Sequence, residues 1–420
     1  MVRSGDLSRR TECGYSVTVT EKLFYHDPTL LEFDASIIEY VANGTLLEVV
    51  LDRTAFFPGG GGQPADRGTL GGARVVDVKE RDGDIVHVVE ATGPWAAGAA
   101  PPGPCAGVVD GARRRDFMIQ HTGQHVLSQA LLATGQLPTV SVHFGDETTT
   151  IELDAPSVPQ TVLRRAEALA NSIVRENRPI RIHDVDPSEA SRFPLRRTPP
   201  EVGRLRIVEV GSYDWAACSG LHVATTGEII LIKIVGQEKI RGRARIHALI
   251  GARAMDDYGR KIAVVQNLTR LLTCGESDIA SRVEELLRGA RENERDLKKL
   301  RMERAVSDAD SIGQSRLVCR VLENAGSDYL KAFAERVVAS PGRAVVVVDR
   351  TADGFQWIVA HSLGNGLALP QLVTPLFPQA GARGGGRGAW MQGAGLPAEA
   401  ASGFADAVAD AVSRTLERGT

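Results

Sequence analysis

The sequence predicts an α+β protein built from several domains. Its 420 residues are enough for about two to four of them. Short β-branched runs joined by Asn-Gly and Asp-Gly pairs alternate with longer stretches of helical apolar spacing. A hydrophobic content of 43% with 24% charged residues supplies both a sizeable core and a soluble surface.

Residues 15–110 form the first expected domain, small, antiparallel and β-barrel-like. In "SIIEYVANGTLLEVVLDRTAFF" two alternating runs flank Asn43-Gly44, a hairpin signal, and "ARVVDVKERDGDIVHVVE" repeats the pattern around Asp82-Gly83. "GPWAAGAAPPGPCAG" then reads as a loop. Residues 111–255 are expected to mix helices and strands: a helix over Phe117–Thr134, a strand at "TTTIELD", a helix from Ser157 to Asn177, and strands "LRIVEVG" and "EIILIKIVGQEKI" flanking a cysteine-bearing turn. Residues 256–312 read as a helical linker or short coiled coil. Val283, Leu286, Ala290, Leu297 and Leu300 fall on its a and d positions, and Asn293 takes one d slot. Residues 313–420 read as α/β, with strands "RAVVVVDR" and "FQWIVAHS", a glycine-dense loop "GARGGGRGAWMQGAG", and a closing helix. Arg414 and Arg418 suit the C-terminal end of that helix.

A net charge of −3 gives no global attraction to nucleic acid, so polyanion binding must come from local patches. The basic runs are "GARRRD", "RFPLRRTPPEVGRLR" and "EKIRGRAR", each of which also reads as a solvated face. Cys13, Cys105, Cys218, Cys274 and Cys319 are too few and too scattered for a disulfide framework, so a reducing cytoplasm is the expected compartment. The N-terminus lacks the apolar segment of a signal peptide, and no apolar run is long enough to span a bilayer.

Two motifs carry chemistry. "QHTGQHVLSQALL" places His121 and His125 four residues apart on one helix face. "CSGLHVATTGEI" places Cys218 and His222 four apart as well. Three imidazoles and a thiolate make the tetrahedral N/S set that Zn²⁺ favours, whether structural or catalytic. The residues between the two histidines are Thr122, Gly123 and Gln124, so the glutamate base of an H-E-x-x-H protease is missing. A third stretch, "TAFFPGGGGQPADRG", is neither a phosphate-binding P-loop nor a dinucleotide fingerprint, since no Gly-Lys-Ser/Thr and no opening helix follows. Its four glycines leave the backbone bare for close approach, or simply make a tight hairpin.

Taken in order, the motifs T-x-F-F-P-x-G-G-G-Q-P-x-D-x-G, Q-H-T-G-Q-H, S-V-H-F-G and D-W-A-A-C-x-G-x-H-V-x-x-T-G-E-I resemble the editing region of alanyl-tRNA synthetase. They resemble still more closely the free-standing alanyl-tRNA editing proteins of the AlaX type, long form. "GARGGGRGAWMQGAG" is similar to the glycine-rich segment of the DHH-associated domain that closes those proteins. The resemblance implies an editing domain at 111–255, a DHH-associated domain at 313–420, and no aminoacylation domain before residue 15. It implies an ATP-independent trans-editing hydrolase that deacylates tRNA(Ala) mischarged with serine or glycine. One Zn²⁺ per chain would be held by His121, His125, Cys218 and His222. Ser141 and His143 would read the serine side chain, Gln63 would lie near the site, and Asp214 would orient a ligand or the substrate amine. Arg113, Arg114 and Arg115 would meet the acceptor stem, and Arg383 and Arg387 the tRNA body. The central helices or the C-terminal domain would form any homodimer.

Two positions depart from the family pattern: C-S-G-L-H replaces C-G-G-T-H, bringing Ser219 and Leu221, and Gly59 stands where a glutamate is common. Both put substrate preference and rate in question. Two other readings stay open, a non-enzymatic tRNA-binding protein with a structural zinc and a hydrolase or transferase acting on another charged tRNA. A phosphoesterase would need a clustered Asp/His domain that this sequence does not offer.

Overall fold

The computed structural model describes residues 19–96, 104–199, 203–364 and 367–418. Cys13, the start of the first expected domain and residues 97–103 of the loop expected at 93–107 lie outside them. The described chain is mixed α and β, and it divides into two compact units, Met1–Val264 and Val265–Thr420.

Besides a two-stranded pair, Glu21–Lys22 with Arg53–Thr54, the first unit opens with a seven-stranded sheet: β1 (Glu32–Ala35), β2 (Ile37–Asn43), β3 (Leu46–Leu51), β4 (Gly68–Leu70), β5 (Ala73–Arg81), β6 (Asp84–Glu90) and β7 (Cys105–Val109). Asn43-Gly44 and Asp82-Gly83 turn the two expected hairpins, with Gly44 and Gly83 at positive φ. The sheet order is β1-β7-β4-β5-β6-β3-β2. The barrel-like expectation is corrected here: β1 and β2 are consecutive in the chain but share no ladder, so the sheet stays open at those two edges. Closure needs every edge strand to find a partner, and these two do not pair with each other.

Helix α1 (Gly111–Gly135) follows. It starts six residues before the expected Phe117, because the Asp110 side chain accepts the Arg113 N–H at 3.1 Å and caps the helix there. Phe117 through Ser128 are buried on every face, so α1 runs through the core rather than along it. Strands β8 (Thr139–Phe144) and β9 (Thr149–Leu153) follow, then helix α2 (Gln160–Arg175). Strands β10 (Ile180–Val185), β11 (Leu205–Val210) and β12 (Asp214–Ala217) form a small antiparallel sheet. Strands β13 (Ile232–Ile240) and β14 (Arg243–Ile250) complete a four-stranded sheet of order β8-β9-β14-β13. Met118, Val126, Leu127 and Leu131 of α1 join the strand residues in one core.

Helix α3 (Ala252–Leu272) carries the chain across the boundary between units, and helix α4 (Ile279–Asp310) belongs to the second. Val283, Leu286, Leu297 and Leu300, expected on a coiled-coil seam, are 39, 51, 49 and 61% exposed. Only the end of α4 is covered: Ala305 and Ala309 pack with helix α5 (Ser327–Val338). Strands β15 (Leu317–Glu323), β16 (Ala344–Thr351), β17 (Gly354–His361), β18 (Ala382–Arg387) and β19 (Trp390–Gly395) make a sheet of order β15-β16-β17-β19-β18, and helix α6 (Ala400–Arg418) closes the unit. "AVVVV" reads as an unbroken apolar run because both sheet faces are covered: Val346 and Val348 face α6, Val345 and Val347 face α5.

The glycine-dense stretch expected to be a loop is the β18–β19 hairpin. A Cβ at Gly384 would lie 2.5 Å from the Trp357 ring, and one at Gly393 2.1 Å from the Arg383 carbonyl. Glycine lets these strands lie flat on Trp357. No described helix is long and apolar enough to cross a membrane.

Candidate metal centre

The site lies wholly within the first unit. Two turns of α1 present His121 and His125, and the segment after β12 presents Cys218 and His222. Their candidate ligand atoms all lie within 4.8 Å of one another. The Cys218 Sγ is 3.2 Å from His121 Nε2 and 3.5 Å from His222 Nε2. Tetrahedral zinc with bonds near 2.0–2.3 Å would set its ligands about 3.3–3.7 Å apart.

The opposite ring nitrogens are held by oxygens. His121 Nδ1 lies 3.0 Å from Gln63 Oε1, which also accepts the Leu221 N–H at 3.0 Å. His222 Nδ1 lies 3.1 Å from the Thr122 hydroxyl, which donates its own proton to the Met118 carbonyl at 2.8 Å. His125 Nδ1 lies 3.2 Å from Asp214 Oδ2. Each of these oxygens can only accept, so each Nδ1 donates and each Nε2 turns towards the sulfur. Asp214 is itself 1% exposed and paired with Arg196.

The electrostatics point the same way. Burial works to raise the Cys218 thiol, yet the three histidines hold it well below the usual thiol range. His222 is pushed down to about 3, by burial first and then by His121. His125 is raised to about 9, because Asp214 and Cys218 outweigh its burial. A thiolate and the Nε2 atoms of three imidazole rings thus gather together, and a bound cation would take the thiolate and displace the proton that His125 holds without it. These residues fit a metal ion. Asp214→Asn is expected to weaken metal affinity about 10- to 100-fold, read by competition with a chromophoric chelator.

The glycine motif packs on this cluster. Gly60 and Gln63 exchange backbone hydrogen bonds of 2.9 and 3.0 Å, with Gly61 and Gly62 at φ 61° and 88° between them. A Cβ on Gly61 would sit 3.4 Å from His121 Cε1. Gly220 comes closer still: its Cβ would lie 2.0 Å from the same carbon, so only glycine fits. At the base of the loop, Asp66 accepts the Phe57 N–H at 2.7 Å and pairs with Arg114.

A cavity of about 1070 Å³ opens beside the cluster, large for a ligand site. His121, His125 and Cys218 line it together with Gln124, Thr139 and Val142. Lys22, Arg196, Arg197, Arg204 and Arg206 surround it, and among the described residues that line it Asp184 is the one carboxylate.

Several candidates sit elsewhere than expected. A bulge between Thr139 and Ser141 changes which β8 side chains face the cavity. Thr139 and Val142 face it, whereas Ser141 is exposed and bonds Glu152 at 2.8 Å, and His143 is exposed beside it. Arg114, expected on phosphates, is 2% exposed, with its donors spent on Asp66, Pro28 and Ala55. Arg113 stacks 4.6 Å from the Phe117 ring, and Arg115 is exposed and pairs with Glu228 at 3.0 Å. Arg383 and Arg387 lie exposed on β18. Leu221 points into the core at 0% exposure and does not line the cavity. Gly59 has φ 82°, a conformation that disfavours the glutamate expected there. The cavity arginines were visible only as the basic run at 192–206, and nothing in the sequence marks Tyr25, which lines the same cavity.

Residues 205–247, which include Cys218 and His222, match the family model of the threonyl and alanyl tRNA synthetase second additional domain. The chain is 32% identical to the alanine–tRNA ligase of Korarchaeum cryptofilum over 90% of its own length and 43% of the ligase. It is 31% identical to that of Halorubrum lacusprofundi over 95% and 44%. It thus spans less than half the length of these ligases. The alanyl-tRNA editing protein AlaX-L of Pyrococcus horikoshii is 28% identical, over 88% of this chain and 93% of that protein. The chain is thus similar to two kinds of protein, the ligases over part of their length and the editing protein over nearly all of its own. The match to that editing protein runs nearly end to end on both chains.

Proposed function

We propose that this protein is an aminoacyl-tRNA deacylase that removes serine, and also glycine, from tRNA(Ala). The observation that carries the reading is the His121–His125–Cys218–His222 cluster opening onto a basic cavity. The ion is read as one Zn²⁺ per chain, since three imidazoles and a thiolate suit it better than harder metals. When bound, zinc would supply positive charge to grip or polarise the aminoacyl group.

The chain's own groups do the rest. Arg197, on an exposed stretch of the cavity rim, draws in the acceptor-end phosphates, with Lys22, which lines the same cavity and pairs with Glu80 at 2.8 Å, adding to the positive field. Gln124 and Thr139 present polar atoms beside His125, where a serine hydroxyl can be answered and an alanine methyl cannot. Asp214 is a positioning residue, buried behind His125 and away from the reacting ester. In the same reading, 15–110 carries the glycine loop, 111–255 is the editing domain, 256–312 the helical connector and 313–420 the DHH-associated domain. Arg383 and Arg387 serve the tRNA body from that last domain, and the exposed leucines of α4 support self-association.

The test is deacylation of Ser-, Gly- and Ala-charged tRNA(Ala), with and without chelator, beside the same amino acids on other tRNAs. Ser-tRNA(Ala) should be cleared fastest, chelator should abolish the activity, and binding should fall steeply with salt. Metal and tRNA bound without ester cleavage would instead support a non-enzymatic binding protein.

A further inference from the structure

The cavity mouth holds an aromatic side chain that the reading above does not use. Tyr25 sits in a one-turn helix, Leu23–His26, and is 36% exposed. The Arg206 guanidinium lies over the ring, 5.2 Å from its centroid. Phe24, itself buried, meets the ring edge-on at 4.6 Å. The Tyr25 hydroxyl donates to the Ser219 carbonyl at 3.2 Å. Arg206 donates to the carbonyls of Cys218 at 3.0 Å and Gly220 at 2.7 Å. The two side chains therefore hold three successive carbonyls of the segment that carries Cys218, and the ring is fixed relative to the cluster. Arg206, committed to two carbonyls and a ring, is not free for a phosphate.

A rigid, half-exposed aromatic ring backed by a guanidinium, in a cavity rimmed by cations, is the composition of a nucleobase-stacking platform. The aminoacyl group offers no π face to it when the amino acid is serine or glycine. We propose that Tyr25, backed by Arg206, stacks the 3′-terminal base of the substrate RNA and so orients the terminal ribose and its ester towards the His121–Cys218 cluster. This rests on the deacylase reading.

The probe is tRNA(Ala) ending in 2-aminopurine and carrying serine through a non-hydrolysable amide. Stacking quenches that fluorophore. The wild type and Tyr25→Phe, which keeps the ring and loses only the bond to Ser219, should both quench it. Tyr25→Leu should lose the quench and bind about 10- to 100-fold more weakly, and Tyr25→Trp should restore both. Absence of quenching by the wild type, or full quenching by Tyr25→Leu, overturns the platform. Wild-type deacylation of Ser-tRNA(Ala), assayed in parallel, separates the two ideas: hydrolysis without quenching sinks the platform alone, whereas neither binding nor hydrolysis sinks the deacylase reading with it.

Discussion

Replacing Cys218 or His222 with alanine is expected to empty the metal site and to slow deacylation of Ser-tRNA(Ala) by more than about 100-fold. Loss of a residue that merely orients a metal ligand already costs about 10- to 100-fold in affinity or activity, and these two residues offer the ligand atoms themselves. Cys218 also supplies the cluster's only negative charge among its four members, so its removal leaves imidazoles with less reason to share one ion. Metal per chain by atomic emission and single-turnover hydrolysis give the two readouts. Hydrolysis at the wild-type rate by a metal-free variant would end the proposal. Retained metal with lost hydrolysis would move Cys218 from holding the ion to acting on the substrate.

The second large effect is on stability. Arg114→Met is expected to cost about 3–5 kcal/mol, the usual penalty for stripping one partner from a buried ion pair. Asp66 and Arg114 have side chains 3% and 1% exposed, and burial already pushes the Asp66 carboxyl upward. Arg114 also donates to the Pro28 carbonyl at 2.8 Å and to that of Ala55. It thus ties both flanks of the glycine loop to the first turn of α1. The double variant Asp66→Leu/Arg114→Met should recover much of the loss, since an apolar pair leaves no charge unpaired. Urea unfolding monitored by circular dichroism measures both, and a single variant as stable as the wild type would show that the pair does not brace the loop.

Much of the fold was legible. Asn43-Gly44 and Asp82-Gly83 announced their hairpins because the left-handed backbone of such turns strongly favours those residue types. Matched four-residue spacings announced the two ligand pairs: helical geometry turns His121 and His125 to one side, whereas Cys218 and His222 lie in the irregular segment after β12, where the spacing has no helical cause. Arg114 misled, because an arginine in a basic run looks the same whether it faces solvent or a buried aspartate 48 residues away in sequence. Ser141 and His143 were expected from the resemblance alone, and strand alternation in β8 turns both to the face opposite Val142 and Phe144. The α4 leucines, spaced for a seam, are exposed over most of the helix among the described residues.

By itself, the sequence determined the element types, the turns, the two four-spaced pairs and the family resemblance. All of these depend on neighbours within a few residues, or on order along the chain. Only the tertiary structure decided that α1 and the segment after β12 would meet across some ninety residues, with Gln63, Thr122 and Asp214 turning three rings inward. It also decided which arginines rim the cavity and which are locked in the core. Burial and long-range pairing are properties of the packed chain, and no local pattern encodes them.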